Sequence, residues 1–337
     1  MKLRNYLMLA GTSAIALCAG SSIMAQTVTN PGLSLPPVYI VTAPDIIDSG
    51  VTDAQPLIAS AIVHDVPTGQ LEQSLNASTP EVTTLSLTNN GMVAINASAR
   101  AASATGPVAA LAAVDDGIIQ RNDSAGDGSP TASDKFINNG ALNIGATSVA
   151  TTAGDAASTS LVAAGVRQGV NSDGTEAASF VNSGTGTVNI TSSANANATT
   201  AVGTGLADAR ARGVEHALAA IGGTASAFDN AGVFNVTSTA TATGASGAGV
   251  TSQATGFEVR GEPVGLAVNN SKTFTVTANA VSDGLAQAEA FGMDFHASDI
   301  PLVDTLIPAA DITNLISGTV NNSGTINVTA SSLGPET

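Results

Sequence analysis

Apolar and polar residues alternate in short stretches that recur along most of the chain. The stretches contain Val93 and Ile95, Leu142 and Ile144, Val188 and Ile190, Phe234 and Val236, Phe274 and Val276, and Ile326 and Val328. A period of two with Thr, Val and Ile enriched predicts strands with one buried face. Each stretch follows an Asn-rich turn: Asn89-Asn90-Gly91, Asn138-Asn139-Gly140, Asn182-Ser183-Gly184, Asn230-Ala231-Gly232, Asn269-Asn270-Ser271 and Asn321-Asn322-Ser323-Gly324. Asn tolerates left-handed backbone, closes its own turn and can form amide ladders when copies stack. Asn90, Asn139, Asn182, Asn230, Asn270 and Asn322 are therefore the expected structural turn residues.

The phrase recurs about every 47 residues. A second half carries Ala-x alternation ending at a small-apolar pair: Ala113-Val114, Gly165-Val166, Gly213-Val214, Gly256-Phe257 and Gly292-Met293. The markers together give a unit of about 23 residues, the size of one coil of a parallel β-solenoid. The expected fold is thus all-β, a parallel β-helix of coils of about 23 residues, paired in the repeat of about 47. Eleven or twelve such coils would make a rod roughly 55 Å long. Antiparallel hairpins are the alternative architecture, with Asn189 to Ala217 folding back at Val202-Gly203-Thr204-Gly205. Phe136, Phe180 and Phe228 each precede a turn Asn by two residues and should stack as an aromatic column in every second coil.

Composition fits such a coil. The 337 residues include 43% hydrophobic but only 3% aromatic and 11% charged residues, with 35 Gly and no Trp. A narrow tube is filled by small and β-branched side chains. The net charge of −16 argues against a nucleic-acid or anionic-membrane partner.

Residues 1–25 have the layout of a secretory signal peptide. Lys2 and Arg4 precede an apolar run from Tyr6 to Gly20, and Ala25 offers a cleavage site. Leu17 before Cys18 disfavours a lipoprotein signal. Cleavage would remove the only cysteine and leave a net charge of about −18. No later apolar run is long enough for a transmembrane helix. Export is expected, to the outer-membrane surface or the medium, or to the periplasm without a translocator.

Residues 26–80 lack the repeat, hold seven prolines and read as an N-terminal cap over the first strand edges of a solenoid spanning 81–337. Without an equivalent C-terminal cap, self-association through an open last coil is expected. Insertions near 120–135 and 298–317 should leave the rod on one side. Their acids, Asp123, Asp127, Asp134, Asp299 and Asp304, are candidate binding residues.

Asp115, Glu215, Glu258 and Asp294 follow the small-apolar marker, with Arg167 in the same place. Recurrence in every second coil would separate them by about 9.6 Å, near the carboxylate spacing of inverting glycoside hydrolases. Glu215, Glu258 and Asp294 are on that basis the candidate catalytic acids of an alternative reading, a polysaccharide-binding, lyase or hydrolase β-helix. The leading reading has no enzymatic activity. A solvated charged column is what keeps a rod soluble. No cofactor is implied. No metal site is expected: the nonapeptide calcium repeat and the Asp-x-Asn-x-Asp-Gly run are missing, and Asp115-Asp116 and Asp123/Asp127 are isolated carboxylates. His64 stands alone in the cap, while His216 and His296 lie just beyond the acidic column.

The copies VNSGTGTVNITSSA at 181–194, FDNAGVFNVTSTA at 228–240 and VNNSGTINVTA at 320–330 resemble passenger repeats of bacterial autotransporter and filamentous-haemagglutinin-type adhesins. The resemblance covers roughly residues 81–337 and belongs to the repeat. It implies a right-handed β-helix displayed on an outer membrane, adhering to a glycan or host surface or forming fibres. The family's C-terminal translocator barrel is not in the sequence, so a truncated passenger is one reading of the chain.

Overall fold

The computed structural model describes residues 83–124, 131–172, 174–200, 202–220, 223–244, 247–261, 264–297 and 316–334, together with six short strands between Val28 and Ala77. The chain winds as a parallel β-helix with three walls, and every strand pair is parallel. Wall A stacks Thr83–Asn89, Thr131–Asn138, Thr175–Asn182, Thr224–Asn230, Val264–Asn270 and Ile316–Asn322. Wall B stacks Met92–Ser103, Ala141–Thr152, Thr187–Ala198, Val233–Thr243, Thr273–Ser282 and Thr325–Leu333. Wall C stacks Val108–Ser124, Ala156–Ser172, Gly205–Ala220, Gly249–Gly261 and Leu285–Ala297.

One coil is the whole repeat. Asn182 lies 44 residues after its rung neighbour Asn138 and 48 before Asn230. The expected coil of about 23 residues is thereby corrected: the Asn-turn phrase spans walls A and B, and the second half is wall C of the same coil. Six rungs at the sheet spacing make about 29 Å of rod, half the length expected from shorter coils. The hairpin alternative does not form, since Thr187–Ala198 and Gly205–Ala220 lie in different sheets.

The small-apolar marker falls in the middle of wall C, where the strand bulges between Val162 and Val166. A Cβ on Gly165 would stand 2.2 Å from Ile190 Cδ1 and 2.8 Å from the Gly213 carbonyl. At Gly213 it would meet the Gly256 carbonyl at 2.2 Å and Phe234 Cζ at 2.8 Å. Only glycine lets the large wall-B side chains reach across the tube to wall C.

Alternation puts Phe136, Phe180 and Phe228 inside, stacked in consecutive rungs with ring centroids 5.7 and 5.4 Å apart. The column thus occupies three consecutive coils and not every second one, because the coil is the full repeat; Leu87 and Val268 continue it on either side. Phe234 and Phe274 stack beside it at 5.1 Å. Ile95, Ile144, Ile190, Val236 and Val276 form another fully buried column. Toward the far corner the interior narrows to Ala and Ser, and walls B and C are joined by serine pairs such as Ser148–Ser158 at 2.7 Å and Ser160–Ser192 at 2.9 Å.

The six short strands between Val28 and Ala77 add an irregular layer ahead of these six rungs. Val28–Thr29 and Leu33–Ser34 pair with wall A, Val38–Thr42 and Ile46–Ser49 with wall B, and Leu57–Val63 and Leu71–Ala77 with wall C. At the other end, positions that are interior in earlier rungs are open: Val320 and Val328 are 54% and 45% exposed, whereas their rung neighbours Val268 and Val276 are fully buried.

Candidate functional site

Two surfaces of the rod differ sharply in chemistry. The outer face of wall C carries an ion-pair ladder. Register places Arg167, Glu215, Glu258 and Asp294 in one column on successive rungs. Arg167 reaches both ways, with Nη1 2.9 Å from Asp116 Oδ2 and Nη2 3.1 Å from Glu215 Oε2. Arg212 donates to Glu215 Oε2 at 2.6 Å, and its Nε stands 2.5 Å from Glu258 Oε2, off the N–H line. Arg260 pairs with Glu258 Oε1. Asp294 closes the column on the more exposed rim, 2.9 Å from His296 Nε2.

Asp115 stands outside this column. Wall C aligns Val166 with Ile118 and Arg167 with Ile119, so the marker of the first repeat is Gly117-Ile118 and not Ala113-Val114. The carboxylate that meets Arg167 is Asp116.

Glu215 and Glu258 occupy adjacent rungs, about 4.8 Å apart at the sheet spacing rather than the expected 9.6 Å. Both are nearly buried. Burial pushes the Glu215 carboxyl up, but Arg167, Arg212 and Arg260 together pull it below the usual carboxylate value. A carboxylate held by three guanidinium groups is a poor proton donor, which general-acid catalysis of glycoside cleavage requires. The neighbouring groove, lined by Leu161, Val162, Arg210, Arg212 and Gln253, encloses about 150 Å³. Ligand pockets usually reach at least about 300 Å³. Charge pairing within and between rungs accounts for the ladder of Asp116, Arg167, Arg212, Glu215, Glu258 and Arg260.

Wall B is the opposite case. Its first strand, Met92–Ser103, carries one outward charge, Arg100, and the five strands that follow, Ala141–Thr152, Thr187–Ala198, Val233–Thr243, Thr273–Ser282 and Thr325–Leu333, contain no Asp, Glu, Lys, Arg or His. Alternation turns a grid of hydroxyls and amides outward. Thr191, Thr237, Thr277 and Thr329 form one column in register. Asn143, Asn189 and Asn235 form the next, with Asn189 Nδ2 2.9 Å from Asn143 Oδ1 and Asn235 Nδ2 3.0 Å from Asn189 Oδ1. Two residues along a strand advance about 6.7 Å and one rung about 4.8 Å, so the grid is regular.

At the corner between walls A and B, an inner asparagine column runs through Asn89, Asn138, Asn182, Asn230, Asn270 and Asn322. Asn182, Asn230, Asn270 and Asn322 thus stand where expected turn residues lie. In the first two repeats Asn89 and Asn138 fill the column, and Asn90 and Asn139 follow outside it, bonded to each other at 2.8 Å.

The insertion acids separate. Asp123 is exposed near the end of a wall-C strand, whereas Asp134 is an inward residue of wall A, 1% exposed. Asp127, Asp299, Asp304 and His64 lie outside the described residues. One polar column went unread in the sequence. Gln73, Gln120 and Gln168 are joined Nε2 to Oε1 at 2.8 and 2.7 Å inside wall C, and their spacing of 47 and 48 residues matches the repeat. His216 takes the next place, fully buried, with Nδ1 2.7 Å from Ser226 Oγ.

Among the described residues no three His, Cys, Asp or Glu side chains converge as a metal centre, and no helix is long and apolar enough to cross a membrane. No protein-family model, curated protein or solved structure matches the chain.

Proposed function

We propose that this chain is an exported structural and adhesive β-helix, similar in role to an autotransporter passenger, displayed at the surface of a Gram-negative cell or released from it. Its contacts are made through wall B. The observation that carries this reading is the charge-free grid over the five wall-B strands beyond Arg100, on a protein of net charge −16. A wall that served only solubility would share the acidic residues of the rest of the rod. An uncharged array of hydroxyls and amides suits a neutral, hydroxyl-rich surface such as a polysaccharide, which offers repeated donors and acceptors and no charge. Many weak contacts on a common spacing add through multivalency. The apolar N-terminal leader at 1–25 supports export.

The test is retention of the purified chain on surfaces coated with neutral polysaccharides. Wild-type protein is expected to be retained. Thr191→Lys, Thr237→Lys and Thr277→Lys combined should reduce retention at least tenfold while the circular dichroism spectrum stays β-rich. Absence of wild-type retention, or equal retention of the triple variant, overturns the reading.

A further inference from the structure

Buried side-chain polar atoms normally find partners. Where wall C passes into wall A in the first two rungs, four oxygens have none: Thr83 Oγ1, Asn122 Oδ1 and both carboxylate oxygens of Asp134. Thr83 and Asn122 are fully buried and Asp134 is 1% exposed. The Asn122 amide ties the group together. Its Nδ2 donates to the Ser133 carbonyl at 3.2 Å, on the peptide leading into Asp134, and to the Thr83 carbonyl at 3.4 Å. With Nδ2 spent on two carbonyls, the side-chain oxygen is fixed as the opposite end, and it meets no donor.

An ionised carboxylate in such a place needs a positive partner. Among the described residues no Lys, Arg or His pairs with Asp134. Lys135 is on the outer face, as strand alternation requires. Glu176 brings further negative charge: it is buried on the following rung, in register with Ala132, and accepts the Ser172 N–H at 2.5 Å. Burial above all pushes the Asp134 carboxyl well up, Asp123 and Glu176 add to it, and the nearby Asn122 amide, which makes no full hydrogen bond to the carboxylate, opposes it.

We infer that this corner is a binding site for a hard cation of the calcium class, held by both Asp134 oxygens, Asn122 Oδ1 and Thr83 Oγ1. The donor set is all oxygen, which suits calcium and not a soft transition metal. A divalent charge would offset both Asp134 and the nearby Glu176. Bound there, the ion would lock the first two rungs together.

The experiment takes the full mature chain, stripped of metal with chelator, and measures terbium luminescence, calcium displacement and thermal unfolding. One ion per chain is expected, with a rise in unfolding midpoint of the order of 5 °C at a hundredfold excess over Kd. Asp134→Asn should lose at least tenfold in affinity, and Asp123→Asn, on the exposed neighbour, should keep it. If Asp134→Asn fails to fold, Asn122→Ala serves, with the same loss expected. A chain that takes up no terbium and whose midpoint ignores calcium overturns the site. So does binding that disappears in Asp123→Asn and survives in Asp134→Asn. Calcium-insensitive folding together with a higher midpoint for Asp134→Leu would mark Asp134 as a neutral buried acid and likewise overturn it.

Discussion

Asn182 Nδ2 donates to Asn230 Oδ1 at 2.8 Å, and both side chains are fully buried. The same Nδ2 also reaches the Val233 carbonyl at 3.0 Å, while Asn182 Oδ1 accepts from Asn138 at 2.9 Å. One amide therefore serves three rungs. Asn182→Ala strands the Asn138 donor and the Asn230 acceptor, so it should destabilise the chain by about 2–4 kcal/mol. Asn182→Asp should be at least as costly, because it replaces a donor by a carboxylate oxygen facing the Asn230 oxygen. Asn139→Ala, on the half-buried neighbour outside the ladder, should stay within about 0.5 kcal/mol. Denaturant unfolding followed by far-UV circular dichroism distinguishes them; equal effects at 139 and 182 would refute the ladder's role.

The tight crossing at Gly165 gives a second expectation. A methyl group there has to displace Ile190 or the Gly213 carbonyl of the next rung. Overpacking of this kind costs about 1–3 kcal/mol. Gly165→Ala should show that loss, and adding Ile190→Val should recover part of it by removing the Cδ1 that the new Cβ meets at 2.2 Å. A double variant no better than the single would mean that the backbone contact dominates.

These two columns mark where the sequence was legible. Alternation and the Asn phrase are direct records of walls A and B, because most inward positions are apolar, amide or small hydroxyl residues in every rung. The coil size was not legible. A small-apolar marker reads as a turn, but Gly165-Val166 sits mid-strand at a bulge, so halving the repeat at that point mistook a crossing for a corner. The first copy misled further, since Ala113-Val114 imitates the marker that Gly117-Ile118 supplies, and this displaced Asp115 from the ladder. Asp134 looked like an insertion acid because a carboxylate at an inward strand position contradicts the pattern. The buried glutamines carried a readable signal, the repeat period itself, without apolar character to draw attention to it.

The wall-C ladder predicts a directional response to acid. Arg212 lies between Glu215 and Glu258, and its side chain is 26% exposed against 4% for each acid. Arg212→Met leaves two nearly buried carboxylates short of a cation, for a loss of about 2–4 kcal/mol at neutral pH. The folded Glu215 carboxyl lies below its usual value, so it contributes stability above about pH 4.5 that disappears as pH falls through the folded value. Removing Arg212 raises that folded value and should move the acid unfolding transition upward. Arg210→Ala, whose partner Asp208 is also solvent-exposed, should change stability by less than about 0.5 kcal/mol. An unchanged acid midpoint in Arg212→Met would sink this account.

His216 ends the glutamine column imperfectly. Its Nε2 and the Gln168 Oε1 of the adjacent rung are both buried without a hydrogen-bond partner. Burial lowers the imidazole pKa to about 3. Between that value and about 6.5 the unfolded chain takes up a proton that the folded chain refuses, so stability should fall with acidification, at about 1.4 kcal/mol per pH unit well below 6.5. A glutamine does not titrate, and one at this position can donate to Gln168 Oε1 as Gln168 donates to Gln120. His216→Gln should therefore extend the ladder by one joint, raise stability at pH 7 by about 1 kcal/mol, and widen that advantage as pH drops to 5. Unfolding midpoints at pH 7.5, 6 and 5 measure this; a gap between wild type and variant that does not grow over that range would show that His216 is not the acid-sensitive group.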